Sequence, residues 1–213
     1  MSAPSTRGRL ITLEGIEGVG KSTQVKTVAK WLQSQGLRVV STREPGGTPR
    51  AERIRQVLLD PDGDGLPPLG ELLLMFAARA THLHNLIEPA LERGEWVVCD
   101  RFTDATRAYQ GAGRGLDRET IETLAHWVHV DRLGEPDLTV VLDAPVDIAL
   151  ARARSRRGPT DRFEREAEPF FARVREEYLT LARAAPERFL VVDAGVGDAE
   201  AVAARLRQAL DER

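Results

Sequence analysis

Cysteine is nearly absent: Cys99 is the only one in 213 residues, alongside four histidines and 5% aromatic residues. A single thiol excludes an internal disulfide, and without metal-spaced Cys or His partners it excludes a zinc site. No run approaches the roughly 18 uninterrupted apolar residues that a bilayer span needs. The N-terminal MSAPSTRGR also lacks the apolar stretch of a secretory signal. The expectation is a cytoplasmic protein with no membrane partner. A large excess of one charge is missing as well. A formal net charge of -3 gives no broad attraction for nucleic acid, so no such partner is expected and any phosphate ligand has to be held locally. Lysine stops at residue 30: Lys21, Lys26 and Lys30 are the only three, and the other 27 basic residues are arginine. A chain with no later lysine cannot contain the Asn-Lys-x-Asp motif with which GTPases read guanine.

What is present is ordinary for a folded chain. With 42% hydrophobic and 30% charged residues it lies far from disordered compositions. Its length favours one domain over residues 1–213. Leu10 to Leu13, Arg38 to Thr42, Trp96 to Cys99, Leu138 to Leu142 and Phe189 to Val192 read as strands, three of them rich in consecutive β-branched residues as buried parallel strands are. Between them lie helical stripes: Val25, Val28, Ala29 and Leu32, ending at Gly36; Leu72 to Leu83; Ile121 to Val128; Ile148 to Ala153; and a closing helix within Asp198 to Arg213. Alternation of this kind requires right-handed crossovers. It predicts an α/β fold with a five-stranded parallel sheet covered by helices on both faces. Asp60 to Pro68 is rich in turn residues but divides nothing.

Chemistry appears first at Gly15-Ile16-Glu17-Gly18-Val19-Gly20-Lys21-Ser22, followed by Thr23, which fits G-x-x-x-x-G-K-[ST] between a strand and a helix. Glycines allow successive N–H groups to turn around a phosphate, and the helix N-terminus adds partial positive charge. Lys21 is placed to reach the β- and γ-phosphates of a nucleotide and the Ser22 hydroxyl to ligate Mg2+. Asp100 and Arg101 leave the C-terminal end of a strand, the edge where open α/β sheets bind ligands, and an acid there can hold magnesium through water. Asp143 and Asp193 also follow strands, but preceding Ala-Pro and Ala-Gly they read as turn or nucleotide-flanking residues.

Six segments together resemble the bacterial thymidylate kinases over nearly the whole chain: GIEGVGKST, TREPGGT (Thr42 to Thr48), LLLMFAAR (Leu72 to Arg79), Asp100-Arg101, YQGAGRG (Tyr109 to Gly115) and the arginine-rich stretch Arg152 to Arg162. The resemblance implies transfer of the γ-phosphate of ATP to dTMP with magnesium, in dTTP synthesis for DNA replication, by a homodimer whose contact is the helix Leu69 to Asn85. It implies that Phe76 stacks on thymine and Arg79 hydrogen-bonds its exocyclic oxygen. Helical spacing alone leaves Phe76 equally readable as core and Arg79 as a solvated charge. It further implies that Arg101 clamps the acceptor phosphate, with Arg43 a second candidate. The resemblance also implies that Glu17 touches the sugar 3′-hydroxyl or nearby water and metal, and that Tyr109 packs against the deoxyribose, with Thr106 and Gln110 beside it. The matching Glu44-Pro45 bond is cis in the family. Gly18 occupies the position where one branch of the family carries a catalytic arginine. The resemblance therefore moves that role to a lid of about 152–166, where Arg154 or Arg156 bridges the two phosphates and Arg152 lies against adenine. Arg157 and Arg162 belong to the same segment. The histidines (His82, His84, His126, His129) read as packing or surface residues. Two rival readings are a small P-loop kinase for another monophosphate and a P-loop ATPase switch that controls partner contacts.

Overall fold

The computed structural model describes residues 7–155 and 161–212. Five strands form one parallel sheet: β1 (Leu10–Glu14), β2 (Val39–Arg43), β3 (Trp96–Asp100), β4 (Leu138–Asp143) and β5 (Phe189–Asp193), in the order β2-β3-β1-β4-β5. Each strand continues one residue past its apolar run, because backbone pairing persists through Arg43 opposite Asp100, Glu14 opposite Val141, and Asp143 opposite Asp193. Five charged residues are thereby delivered to one edge of the sheet, where such folds hold ligands.

Helices cover both faces, as two-sided burial of a parallel sheet demands. The helices are α1 (Lys21–Ser34), α2 (Pro49–Leu59), α3 (Pro68–His82), α4 (Glu88–Glu92), α5 (Thr103–Thr106), α6 (Arg118–Ala125), α7 (Asp131–Leu133), α8 (Val146–Ser155), α9 (Glu168–Ala184) and α10 (Ala199–Asp211). Proline at the first turns of α2, α3 and α9 costs no hydrogen bond, and Asp117 and Asp198 accept N–H groups at the starts of α6 and α10. Ile11, Leu13 and Val98 point into a core shared with Val28 of α1, Val174 of α9 and Leu206 of α10. The alternate residues Leu10, Val97 and Cys99 meet Leu83, Ile87 and Leu91 on the other face. That alternation follows from the period of two along a strand.

Three widened π-helical turns interrupt the helices, at Leu83–Ile87, Arg107–Gly113 and His126–Val130. Apolar periodicity does not distinguish them from α-helix. The second carries Tyr109 and Gln110, in keeping with the tendency of such turns to occur at functional sites.

Candidate active site

The phosphate loop bridges β1 and α1. Gly18 has φ +82°, and a Cβ there would lie 1.8 Å from the Ala149 carbonyl oxygen of α8. The same steric limit closes this position to arginine here. Lys21 donates to the carbonyl oxygens of Gly15 and Ile16 at 2.9 and 2.8 Å. Burial, together with the positive charge of Arg101, pushes its ammonium down to about 8. An anionic phosphate would relieve both effects. The Ser22 hydroxyl donates to Asp100 Oδ2 at 3.0 Å, so the two candidate magnesium residues converge from α1 and β3. A hydroxyl and a carboxylate at this spacing suit a hard cation that keeps most of its waters.

Arg101 follows directly. It is the one non-glycine with positive φ (+71°) among the described residues, a conformation that costs on the order of 1–3 kcal/mol. The turn is held from both sides: Arg101 N–H donates to Leu13 O at 3.0 Å, and Phe102 N–H donates to Glu14 Oε1 at 2.7 Å. Glu14 is fully buried and also accepts from the Tyr178 hydroxyl at 2.8 Å. Burial, with the Asp104 carboxylate adding to it, pushes Glu14 up to about 8. The Arg101 guanidinium donates to Gly15 O and Tyr178 Oη with Nη1, and to Glu17 Oε1 with Nη2 at 2.8 Å, while it stands 4.6 Å over the Tyr109 ring. Tyr109 donates its hydroxyl to Glu17 Oε2 at 2.7 Å. Glu17, Arg101 and Tyr109 thus form one polar wall.

That wall borders a cavity whose other lining includes Met75, Arg79, Thr106, Gln110, Arg55 and Phe163. Arg79 is 2% exposed, donates through Nε to Glu44 Oε2 at 2.7 Å and through Nη2 to Thr106 Oγ1 at 3.1 Å. Its Nη1 is buried with no partner among the described residues. The solvated-charge reading of Arg79 is therefore overturned. Glu44, beside the cis Glu44-Pro45 bond, also meets His82 Nδ1 at 3.0 Å. Burial alone would raise the Glu44 carboxyl, but Arg79 and His82 outweigh it and hold it below the usual range. His82, with Thr42 on its other nitrogen, supports this wall and does no chemistry. His129 is likewise buried against Thr103, whereas His84 and His126 are exposed.

Phe76 differs from its expected place. It is buried with Leu72, Ile121 and Ala125, with its ring 4.9 Å from the Arg79 guanidinium, while its neighbour Met75 supplies the cavity wall. One residue along a helix turns a side chain by about 100°, which decides core against cavity. Arg55 was missed by sequence reasoning. It donates to Pro45 O at 2.8 Å and lines both the cavity and the cleft at the phosphate loop, as Glu17, Glu44, Arg101 and Asp161 do. Its only sequence signal was position, two turns into α2 after TREPGGT.

Arg43 borders the cleft but is exposed, with Nη2 on Glu52 at 3.0 Å. Arg152 lines the cleft and donates to the carbonyls of Ala194 and Gly195 after β5. Arg154 is exposed at the end of α8, and Arg156 and Arg157 lie outside the described residues. Arg162 is anchored instead of free: it donates to Leu58 O and, at 2.6 Å, to buried Glu71. Asp143 is paired with Arg175, and Asp193 accepts from Gly195 N.

Comparison with known proteins agrees with this geometry. The family model described as thymidylate kinase matches residues 13–205. A thymidylate kinase of Chromohalobacter salexigens is 58% identical over 209 residues, 98% of this chain and 97% of that protein. One from Methylococcus capsulatus is 58% identical over 189 residues, covering 89% and 88% respectively. A crystal structure of thymidylate kinase from Ehrlichia chaffeensis superposes with a TM-score of 0.77 at 32% identity, over 96% of this chain and 99% of that one. With a phosphate loop, a polar wall at its rim and a cavity beside it, the chain belongs to the thymidylate kinase family.

Proposed function

We propose that this chain transfers the γ-phosphate of ATP to dTMP, giving ADP and dTDP, with ATP in the cleft at the phosphate loop and the acceptor in the adjoining cavity. The observation that carries this reading is the shared wall: Glu17, Arg55 and Arg101 line both spaces, so an acceptor phosphate held there abuts the phosphate loop. A phosphate monoester has its second pKa near 6, so its oxygen is already anionic at neutral pH and needs no general base. An acceptor oxygen supplies the electron pair for the new bond to the γ-phosphorus, while the bond to the β–γ bridging oxygen breaks and its pair leaves on ADP. Lys21 and Arg101 neutralise charge on either side of that exchange. Arg55 joins Arg101 on the acceptor phosphate in place of the outward-facing Arg43. Met75 and Phe163 flank the base, and Arg79 and Gln110 read its edge. Tyr109 packs on the sugar and Glu17 contacts it. Ser22 and Asp100 would hold Mg2+, which when bound offsets charge on the nucleotide phosphates.

The lid of about 152–166 excludes water and brings Arg154 or Arg156 to the phosphates, and Arg152 covers the adenine. As a single domain of residues 1–213, the enzyme acts as a cytoplasmic homodimer. Leu69 and Leu73 on α3 and Trp127 on the neighbouring π-helical turn, 51%, 50% and 75% exposed, form the apolar face for the second copy. The test is coupled ADP release with dTMP, dUMP, dCMP, dGMP, dAMP or no acceptor. Turnover dominated by dTMP is expected; equal turnover with no acceptor refutes the reading in favour of an ATPase.

A further inference from the structure

Glu71 lies in the first turn of α3, is 1% exposed, and lines neither the cavity nor the cleft. Three side chains nevertheless donate to it. Gln110 Nε2 reaches Oε1 at 2.7 Å, Arg162 Nη2 reaches Oε2 at 2.6 Å, and Arg114 Nε lies 3.3 Å away. A carboxylate held by two guanidinium groups offers only lone pairs. The Gln110 amide can satisfy it only through its NH2 group, which leaves the carbonyl as the end available to the cavity that Gln110 lines. Arg79 lines the same cavity and holds Thr106, one helical turn before Gln110, with Nη2; its Nη1 is a buried donor without a partner among the described residues, and an arginine can never accept.

The cavity lining therefore holds a donor, at Arg79, and an acceptor, at Gln110. A pyrimidine with a 4-oxo group carries the complementary pair, an acceptor at C4 and a donor at N3. A 4-amino pyrimidine carries the reverse, setting donor against donor at Arg79 and acceptor against acceptor at Gln110. A free glutamine would rotate its amide and remove the second conflict. We propose that Glu71 is a positioning residue that locks the Gln110 amide, so that the pocket rejects 4-amino pyrimidine nucleotides. The inference rests on this cavity being the acceptor-base site. Leaving buried polar groups mispaired is what gives such sites large discrimination.

The experiment compares kcat/KM for dTMP and dCMP. In Glu71→Gln the neighbour becomes an amide that accepts either orientation of Gln110, and the dTMP to dCMP ratio is expected to fall tenfold or more, chiefly through dCMP. Arg162→Met removes a different donor from Glu71 and loosens the same attachment of the 161–166 segment, but leaves the orienting contact; its ratio should stay within twofold of wild type. Equal falls in both variants, or no fall in Glu71→Gln, overturn the proposal. Gln110→Leu separates it from the reading beneath: an unchanged ratio there means the base lies elsewhere, whereas a lowered ratio with Glu71→Gln unchanged means that Glu71 alone was misjudged. Wild-type protein supplies an independent measurement. The Gln110 side-chain amide hydrogens, shielded by Glu71, should exchange slowly with solvent even without nucleoside, and fast exchange refutes the lock.

Discussion

Replacing Glu14 by Gln tests how the turn beneath Arg101 is held. The carboxyl is fully buried and pushed up to about 8, from about 4.5 when unfolded. Between those values the unfolded chain has released the proton and the folded chain keeps it, so folding takes up a proton and stability falls as pH rises. From pH 5 to pH 7.5 the loss attributable to this one group is about 3 kcal/mol. Glutamine has the same shape as the neutral acid, and its carbonyl can accept from Phe102 N–H as Glu14 does, without anything to ionise. Urea unfolding of both proteins at pH 5 and 7.5 reads the difference, because the other titrating groups cancel. His129 is one of these: burial, with the charge of Arg79, pushes it down to about 4, so its own contribution rises with pH and is common to both chains. The variant should match wild type near pH 5 and unfold about 1–2 M higher in urea at pH 7.5, for a slope near 2 kcal/mol/M. Parallel pH dependence in the two proteins refutes the assignment of a buried, proton-retaining Glu14.

Lys21→Ala should lower kcat a hundredfold or more with little change in urea midpoint, since it removes a charge that acts on the transferred group. Affinity for Mg·ADP, measured by calorimetry, should weaken above pH 8, approaching tenfold per pH unit, because the free enzyme loses the Lys21 proton there while the phosphate-bound form keeps it. Phe76→Ala should cost about 3–5 kcal/mol of stability with the KM for dTMP nearly unchanged, whereas Met75→Ala should raise that KM severalfold and spare the KM for ATP. Exposed Arg154 and anchored Arg162 separate by kinetics: Arg154→Ala lowers kcat, whereas Arg162→Ala raises the KM for dTMP, read from initial rates over both substrates.

By itself, the amino-acid sequence determined the sheet and the phosphate loop. Both depend on local rules: a short β-branched run that must be buried on two sides, and glycines with a lysine and a serine at the spacing a phosphate demands. The strands at Leu10, Val39, Trp96, Leu138 and Phe189 and the loop at Gly15 stand where those rules put them. The six matched segments also carried the family. The partner of each charge was decided only by tertiary structure. Arg162 looks like a lid residue in sequence, yet it is held by Glu71, 91 residues away. Arg55 looks like a surface helix residue, yet it lines the junction of two sites. Phe76 and Met75 are adjacent, and only the packing of α3 against α6 settles that the aromatic ring fills the core and the thioether borders the cavity. The physical reason is range: backbone preference and apolar period are set by neighbours in the chain, whereas burial and pairing of a long polar side chain are set by whichever distant segment the fold brings to it.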